Sequence, residues 1–174
     1  EALSQLKFEE QISTRQGKGA FVALRADKHA FRLKEVTLDE KESLLHIIEF
    51  LITIEVGATR LAAVRKTPED LKKIRQALVG MEYAIVNDRL GDEEDYAFHQ
   101  AIVAATHNPH FKSLNDYLDH SVRRLIREAR SNTATAYNEL IQDVQDEHQA
   151  MVQAIQAGDP LQAGEAAERH LRNA

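Results

Sequence analysis

Asp95 and His99 stand four residues apart in D-Y-A-F-H, and His148 and His170 stand in two further amphipathic segments downstream. On a helix an i, i+4 pair shares one face. One carboxylate and three imidazoles form a ligand set for a divalent cation, provided the three helices that carry them meet. The spacing therefore predicts one metal ion per chain, buried inside a helical bundle.

The positions of these residues carry the argument further than their types. His148 falls on the apolar stripe of its helix, between Val144 and Met151 and Ile155, and His170 shares a face with Ala163 and Ala167. Asp95, His99, Ile102 and Thr106 line up on a third helix. Each polar group then points inward, where an unpaired imidazole is costly and an unpaired carboxylate more so. A divalent ion satisfies all four and leaves a formal site charge of about +1, which favours a carboxylate ligand at an open coordination position. Zinc is the first expectation, with nickel and manganese accepting the same ligands. His107 and His110 flank a turn and read as cap or surface groups, and His29, His46 and His120 as solvated side chains.

The elements that must position this site follow from hydrophobic period. Residues 1–10 read as the end of a helix, Ile12 to Arg15 as a short strand, Gly17-Lys18-Gly19 as a turn and Ala20 to Ala23 as the returning strand. Helix plus hairpin is the back half of a winged helix. A mixed-charge linker spans 25–36. Thr37 and Glu40 have capping-box spacing, so a helix should begin near Leu38 and bury Leu44, Leu45, Ile48, Leu51, Ile52, Val56 and Thr59 before ending near Arg65. Thr67-Pro68 starts a second helix, burying Leu71, Ile74, Leu78 and Met81. A third runs from about Glu93 to Thr106, after Gly91. Asn108-Pro109 starts a fourth, with Phe111, Leu114, Leu118, Val122, Leu125 and Ile126 inward. Ser131 to Thr135 reads as loose chain before a long fifth helix, and Gly158-Asp159-Pro160 separates that helix from the last. The predicted fold is an all-α, six-helix antiparallel bundle over residues 37–174, preceded by the C-terminal part of a winged helix over 1–24.

Composition excludes other classes. The chain has 174 residues and no cysteine, so disulfide frameworks and thiolate metal sites are ruled out. The net charge of -6 argues against a surface that coats nucleic acid throughout. Charge is uneven, however: residues 1–28 hold five Lys/Arg against four Asp/Glu, and the remainder 17 against 24. A near-neutral head on an acidic body suits a small nucleic-acid contact joined to another module. No apolar run approaches the roughly 18 residues of a membrane span, and the opening E-A-L-S-Q-L has no signal-peptide character. The expectation is a cytoplasmic protein whose true beginning is missing.

Two stretches resemble the GntR family of bacterial transcription regulators, in the branch whose ligand-binding module is the FCD domain. E-A-L-S-Q-L-K-F-E-E-Q-I-S-T-R-Q-G-K-G-A-F-V is similar to the end of that family's winged-helix domain, from the tail of the recognition helix through the wing. I-E-F-L-I-T-I-E-V-G-A-T-R-L-A-A, D-Y-A-F-H-Q-A-I-V-A-A-T-H-N-P, D-E-H-Q-A-M-V-Q-A-I-Q-A-G-D and A-A-E-R-H-L follow the FCD pattern in order and spacing. The resemblance implies a homodimer that binds a small organic acid and controls DNA binding, with Asp95, His99, His148 and His170 at the metal-ligand positions. Asn108 matches the asparagine after the family's third helix and is a candidate donor to the effector. One departure stands out: many relatives carry an arginine three or four residues before the glutamate that is Glu55 here, where this chain has Leu51 and Ile52. Arg123 and Arg127, an i, i+4 pair, are the best substitutes for that carboxylate clamp. Ser4, Arg15, Gln16 and Lys18 are the candidate contacts to operator DNA, through the recognition helix and the wing.

The preferred reading is thus a metal-containing transcription regulator that responds to a small carboxylate or sugar acid, binds operator DNA when intact, and has no membrane partner. The alternative is a metal-dependent hydrolase or lyase acting on small hydroxy acids or lactones, since such a site with an open position also activates water. Against it, Glu94 and Glu147 adjoin ligands in sequence and should point off the metal face, leaving no general base at a fixed spacing. A third reading is a structural helical dimer stapled by its ion.

Overall fold

The computed structural model describes residues 12–15, 19–22, 41–87, 89, 91–118 and 134–173. The chain forms two compact units, Glu1–Lys34 and Glu35–Ala174.

Within the first unit, β1 (Ile12–Arg15) and β2 (Gly19–Val22) form an antiparallel hairpin in the register Ile12 opposite Val22 and Arg15 opposite Gly19. Gly19 has φ +97°, a conformation that side chains other than glycine's resist, so it closes the hairpin where the sequence places its turn. The recognition-helix segment 1–10, with Ser4, lies outside the described residues, as do Gln16 and Lys18.

The second unit is an all-α bundle with six helices among the described residues. They are α1 (Lys41–Arg65), α2 (Pro68–Val86), α3 (Asp92–Ala104), α4 (residues 109–118), α5 (Ala134–Ala157) and α6 (Pro160–Asn173). Their ends are fixed by local chemistry. At Thr67 the hydroxyl accepts from Asp70 N at 3.2 Å while Asp70 Oδ2 accepts from Thr67 N at 2.8 Å, a complete capping box ahead of Pro68. Four acidic residues, Asp92 to Asp95, fill the first turn of α3, where the helix dipole favours them. Asn108 Oδ1 accepts from His110 N at 3.0 Å and caps α4. Gly158, at φ +75°, ends α5 in a Schellman turn in which Gly158 N donates to Ile155 O and Asp159 N to Ala154 O. Asp159 Oδ1 then accepts from Leu161 N and Gln162 N, each at 3.0 Å, and starts α6.

The core joins Ile74, Leu78 and Met81 of α2, Phe98 and Ile102 of α3, Met151 and Ile155 of α5, and Ala163, Ala166 and Ala167 of α6. Helix α6 packs most extensively on α1 and α5, and α3 on α2. Small residues permit the α1–α6 approach: Ala62 and Ala63 of α1 share the buried cluster with Ala163 and Ala167 of α6, and a Cβ at Gly164 would fall 2.2 Å from Arg60 Nε.

Two expectations need correction. Leu45 and Ile48 are 64% and 37% exposed, not inward, and Ile47 is buried instead. The buried stripe of α1 runs through Ile52, Ala58, Thr59, Ala62 and Ala63, and its alanines escape a reading keyed to large apolar side chains. Thr135, expected in loose chain, lies in the first turn of α5. Val122, Leu125, Ile126, His29 and His120 lie outside the described residues.

Candidate metal centre

Three helices converge on one cluster. Asp95 and His99 project from α3, His148 from α5 and His170 from α6, and each offers a ligand atom within 4.8 Å of the others. Asp95 Oδ1 lies 3.2 Å from His148 Nε2 and 3.9 Å from His99 Nε2. The rings of His148 and His170 are 4.2 Å apart between centroids, and those of His99 and His170 are 5.4 Å apart and nearly parallel. Phe98, fully buried, sets its ring edge-on to His148 at 4.9 Å and to His99 at 5.6 Å, walling the cluster on its core side.

The tautomers follow from what the other ring nitrogens meet. Nδ1 of His99 is 2.8 Å from Glu55 Oε2 on α1. Nδ1 of His170 is 3.2 Å from Glu147 Oε2, while Asn173 Nδ2 donates to the other oxygen of Glu147. A carboxylate at Nδ1 holds the proton there and leaves Nε2 as the lone-pair nitrogen facing the cluster. Glu147 thus does point off the cluster, as its place beside His148 requires, but it acts on His170 from there. Thr59 Oγ1 donates to Glu55 O at 2.9 Å, so the glutamate's own backbone is engaged one turn below.

His148 tests whether the residues fit an ion. Its side chain is 1% exposed, and neither ring nitrogen makes a hydrogen bond; the 3.2 Å approach of Asp95 to Nε2 has ion-pair range without hydrogen-bond alignment. A buried imidazole in this state is costly on its own and becomes favourable with a Lewis acid beside it. Donor types, mutual distances, outer carboxylates and the unbonded ring all fit a divalent cation. Glu55 and Glu147 also alter the charge expected from sequence. With Asp95 they would place three carboxylates around a bound divalent ion, a formal total of about -1 rather than +1.

The remaining candidates fall elsewhere. Asn108 spends its side-chain oxygen on the α4 cap. Arg123 and Arg127 lie outside the described residues, and Arg15 ends strand β1 in the other unit. His107 takes φ +52° and places Nε2 2.8 Å from Asp70 Oδ2, which ties the α3–α4 turn to the α2 cap. Arg65 reinforces that tie by donating to Thr106 O at 3.0 Å. Burial pulls the Asp70 carboxyl upward, but hydrogen bonds from the Thr67 amide and hydroxyl and from His107, with the charge of His107, outweigh it and hold the carboxyl below its ordinary value.

Reading the sequence for ligands missed Glu55 and Glu147 as orienting groups. Both were visible as acidic residues, but only the packing of α1 on α3 and of α5 on α6 shows which imidazole each meets.

Residues 46–173 match the family described as the FCD domain. The chain is 30% identical over 174 residues to the HTH-type transcriptional regulator LutR of Bacillus subtilis (strain 168), covering 99% of this chain and 80% of that one. It is 30% identical over 181 residues to a protein of Escherichia coli (strain K12) named as an L-lactate dehydrogenase operon regulatory protein, covering 98% and 67%. Among solved structures, Streptococcus agalactiae GntR superposes with a TM-score of 0.62 at 20% identity, covering 99% of this chain and 77% of that one. E. coli McbR/YncC superposes with a TM-score of 0.61 at 15% identity, covering 99% and 78%. At these identities the two structures speak for the fold alone.

Proposed function

This chain belongs to the FCD-domain family of GntR-type transcription regulators, and from that premise we propose that its helical unit holds one divalent metal ion, through Asp95, His99, His148 and His170, and binds a small organic acid that modulates operator binding. The observation that carries the reading is His148: a fully buried imidazole with no hydrogen bond, inside a cluster of one carboxylate and two imidazoles whose outer nitrogens are already held by Glu55 and Glu147. Zinc is favoured because three imidazoles and one carboxylate suit it, as they suit nickel and, less well, manganese.

When bound, the ion would supply Lewis acidity and an open position for an acid oxygen. The chain's own residues surround that position: Phe98 packs edge-on against His148 and His99 from the core, and Glu55 and Glu147 orient two imidazoles. The acid is of the small hydroxy class, a reading supported by the printed name of the E. coli relative, which ties that protein to an L-lactate dehydrogenase operon. Asn108, Arg123 and Arg127 remain the proposed contacts to it. Helices α3, α5 and α6 meet at the ion, so a ligand that prefers one arrangement of them shifts the bundle and whatever the bundle holds. Ser4, Arg15, Gln16 and Lys18 are the proposed DNA contacts, and the exposed Leu45 and Ile48 on α1 support a homodimer.

The relatives are regulators, not enzymes, and the hydrolase or lyase alternative is not favoured. Of the two carboxylates adjacent to ligands in sequence, Glu94 pairs with Arg89 at 2.8 Å and Glu147 with His170. No helix among the described residues is long and apolar enough to cross a membrane. The test is metal analysis of protein purified without chelator, followed by thermal-shift measurements with L-lactate, L-malate and D-gluconate before and after metal removal. About one ion per chain and an acid-dependent rise in melting temperature only with metal present are expected. A metal-free preparation with unchanged stability and unchanged acid response would refute the reading.

A further inference from the structure

One turn before His148, on the same buried stripe of α5, lies Gln145. It is 7% exposed, and its side-chain oxygen has no hydrogen-bond partner. Residues at i and i+3 of a helix stand about 5–6 Å apart between Cβ atoms, on one face. The Gln145 amide and the His148 ring therefore leave α5 on one face, one turn apart, and both are buried there with polar atoms that make no hydrogen bond. An unpaired amide oxygen here has no structural return: methionine would fill the same volume without the desolvation cost. Buried polar groups with no partner in the free protein are the ones that ligands satisfy.

We propose that Gln145 is the specificity residue of the effector site, its Oε1 accepting a hydrogen bond from a hydroxyl group of the acid. The proposal rests on the metal-and-acid reading above and deepens it by naming what the pocket reads beyond the carboxylate. The chemistry selects the group. A free amide oxygen needs a donor, and an ionised carboxylate has none, whereas a hydroxyl does. The charge around the cluster points the same way. Three carboxylates about one ion give no general attraction for an anion, so a neutral hydroxyl contact carries more of the discrimination than it would in a cationic pocket. A site built to pair with a hydroxyl rejects the analogue that lacks it, because its own buried acceptor is then left unpaired.

The test uses the full chain loaded with zinc and two matched pairs of acids, L-lactate with propionate and L-malate with succinate, titrated by calorimetry. The wild type should bind the hydroxy member of at least one pair roughly tenfold or more tighter than its partner. Q145M should bring that ratio close to one by weakening the hydroxy acid alone, with zinc content unchanged. The same variant should melt higher than wild type without ligand, since it removes the unpaired buried oxygen; a residue with a purely structural role would lower the melting temperature and leave the ratio intact. Q145L serves as a second apolar variant. A ratio that survives in both variants, or equal weakening of both acids of a pair, overturns the inference while leaving the metal-and-acid reading standing. Zinc that is not retained, or a wild type that binds none of the four acids, overturns that reading and this inference with it.

Discussion

Glu55 Oε2 on α1 stands 2.8 Å from Nδ1 of His99 on α3, so the first helix of the bundle reaches the candidate metal centre from outside its four candidate ligands. The contact fixes the protonated nitrogen of His99 and turns the other toward Asp95, His148 and His170. Such outer carboxylates are worth about 10–100-fold in metal affinity. Substituting Glu55 with alanine should weaken zinc binding by that factor in a competition assay with a chelating indicator, and E55Q, which keeps an acceptor oxygen, should fall between. Unchanged affinity in E55A would mean that His99 is oriented by packing alone.

The sequence carried more of the helical unit than of the centre's outer parts. Thr67-Pro68, Gly91, Asn108-Pro109 and Gly158-Asp159-Pro160 marked the helix boundaries because each has a backbone reason to be there. Asp95, His99, His148 and His170 were readable because three helical periods each put a polar residue on an apolar stripe. Glu55 was not readable, because a single glutamate on a half-polar helix carries no signal about which neighbour it meets. Leu45 and Ile48 misled for the opposite reason: large apolar side chains outweighed the alanines that form the actual contact surface of α1. Gln145 passed unnoticed, since an amide on a buried stripe becomes informative only once its oxygen is seen to lack a partner.

Removing the metal should destabilise the bundle. Binding to the folded state alone contributes RT ln(1 + [L]/Kd), about 4 kcal/mol at a thousandfold excess over Kd. For a chain of this length that corresponds to a fall of roughly 8–16 °C in melting temperature on chelation. His148→Ala should abolish most of the difference between chelated and metal-loaded protein. Calorimetric scans with and without chelator check this, and identical scans for the wild type would exclude the ion from any stabilising role.

The α2 cap should give the protein an acid-sensitive increment of stability. The Asp70 carboxyl is held below its ordinary value of 3.8 in the folded chain, so on acidification the unfolded chain takes up its proton first. The increment is therefore complete above pH 3.8 and is lost as pH falls through the lower folded value. D70N, which keeps an acceptor oxygen but removes the charge from the first turn of α2, should cost about 0.3–1 kcal/mol at neutral pH. The gap between variant and wild type should close below the ordinary carboxylate value. Denaturant unfolding at pH 7, 5 and 3 measures the gap, and one that stays constant would show that the carboxylate's charge contributes nothing there.

The exposed apolar residues of α1 bear on assembly. Leu45 and Ile48 lie on adjacent turns, 64% and 37% exposed, at the start of a 25-residue helix whose other face is committed to the core. Covering them against a second copy removes apolar surface from water at about 25 cal/mol per Å². The proposed homodimer gives them that cover. A charged residue at each position costs the isolated fold little, because neither side chain contributes to the core. It would bring like charges together across a symmetric interface that includes them. The double substitution L45E/I48E should therefore shift the chain from dimer to monomer in light scattering at micromolar concentration, with helical content and metal occupancy unchanged. A double variant that remains dimeric would place the interface elsewhere, and a wild type that is already monomeric at that concentration would remove the homodimer from the proposed function.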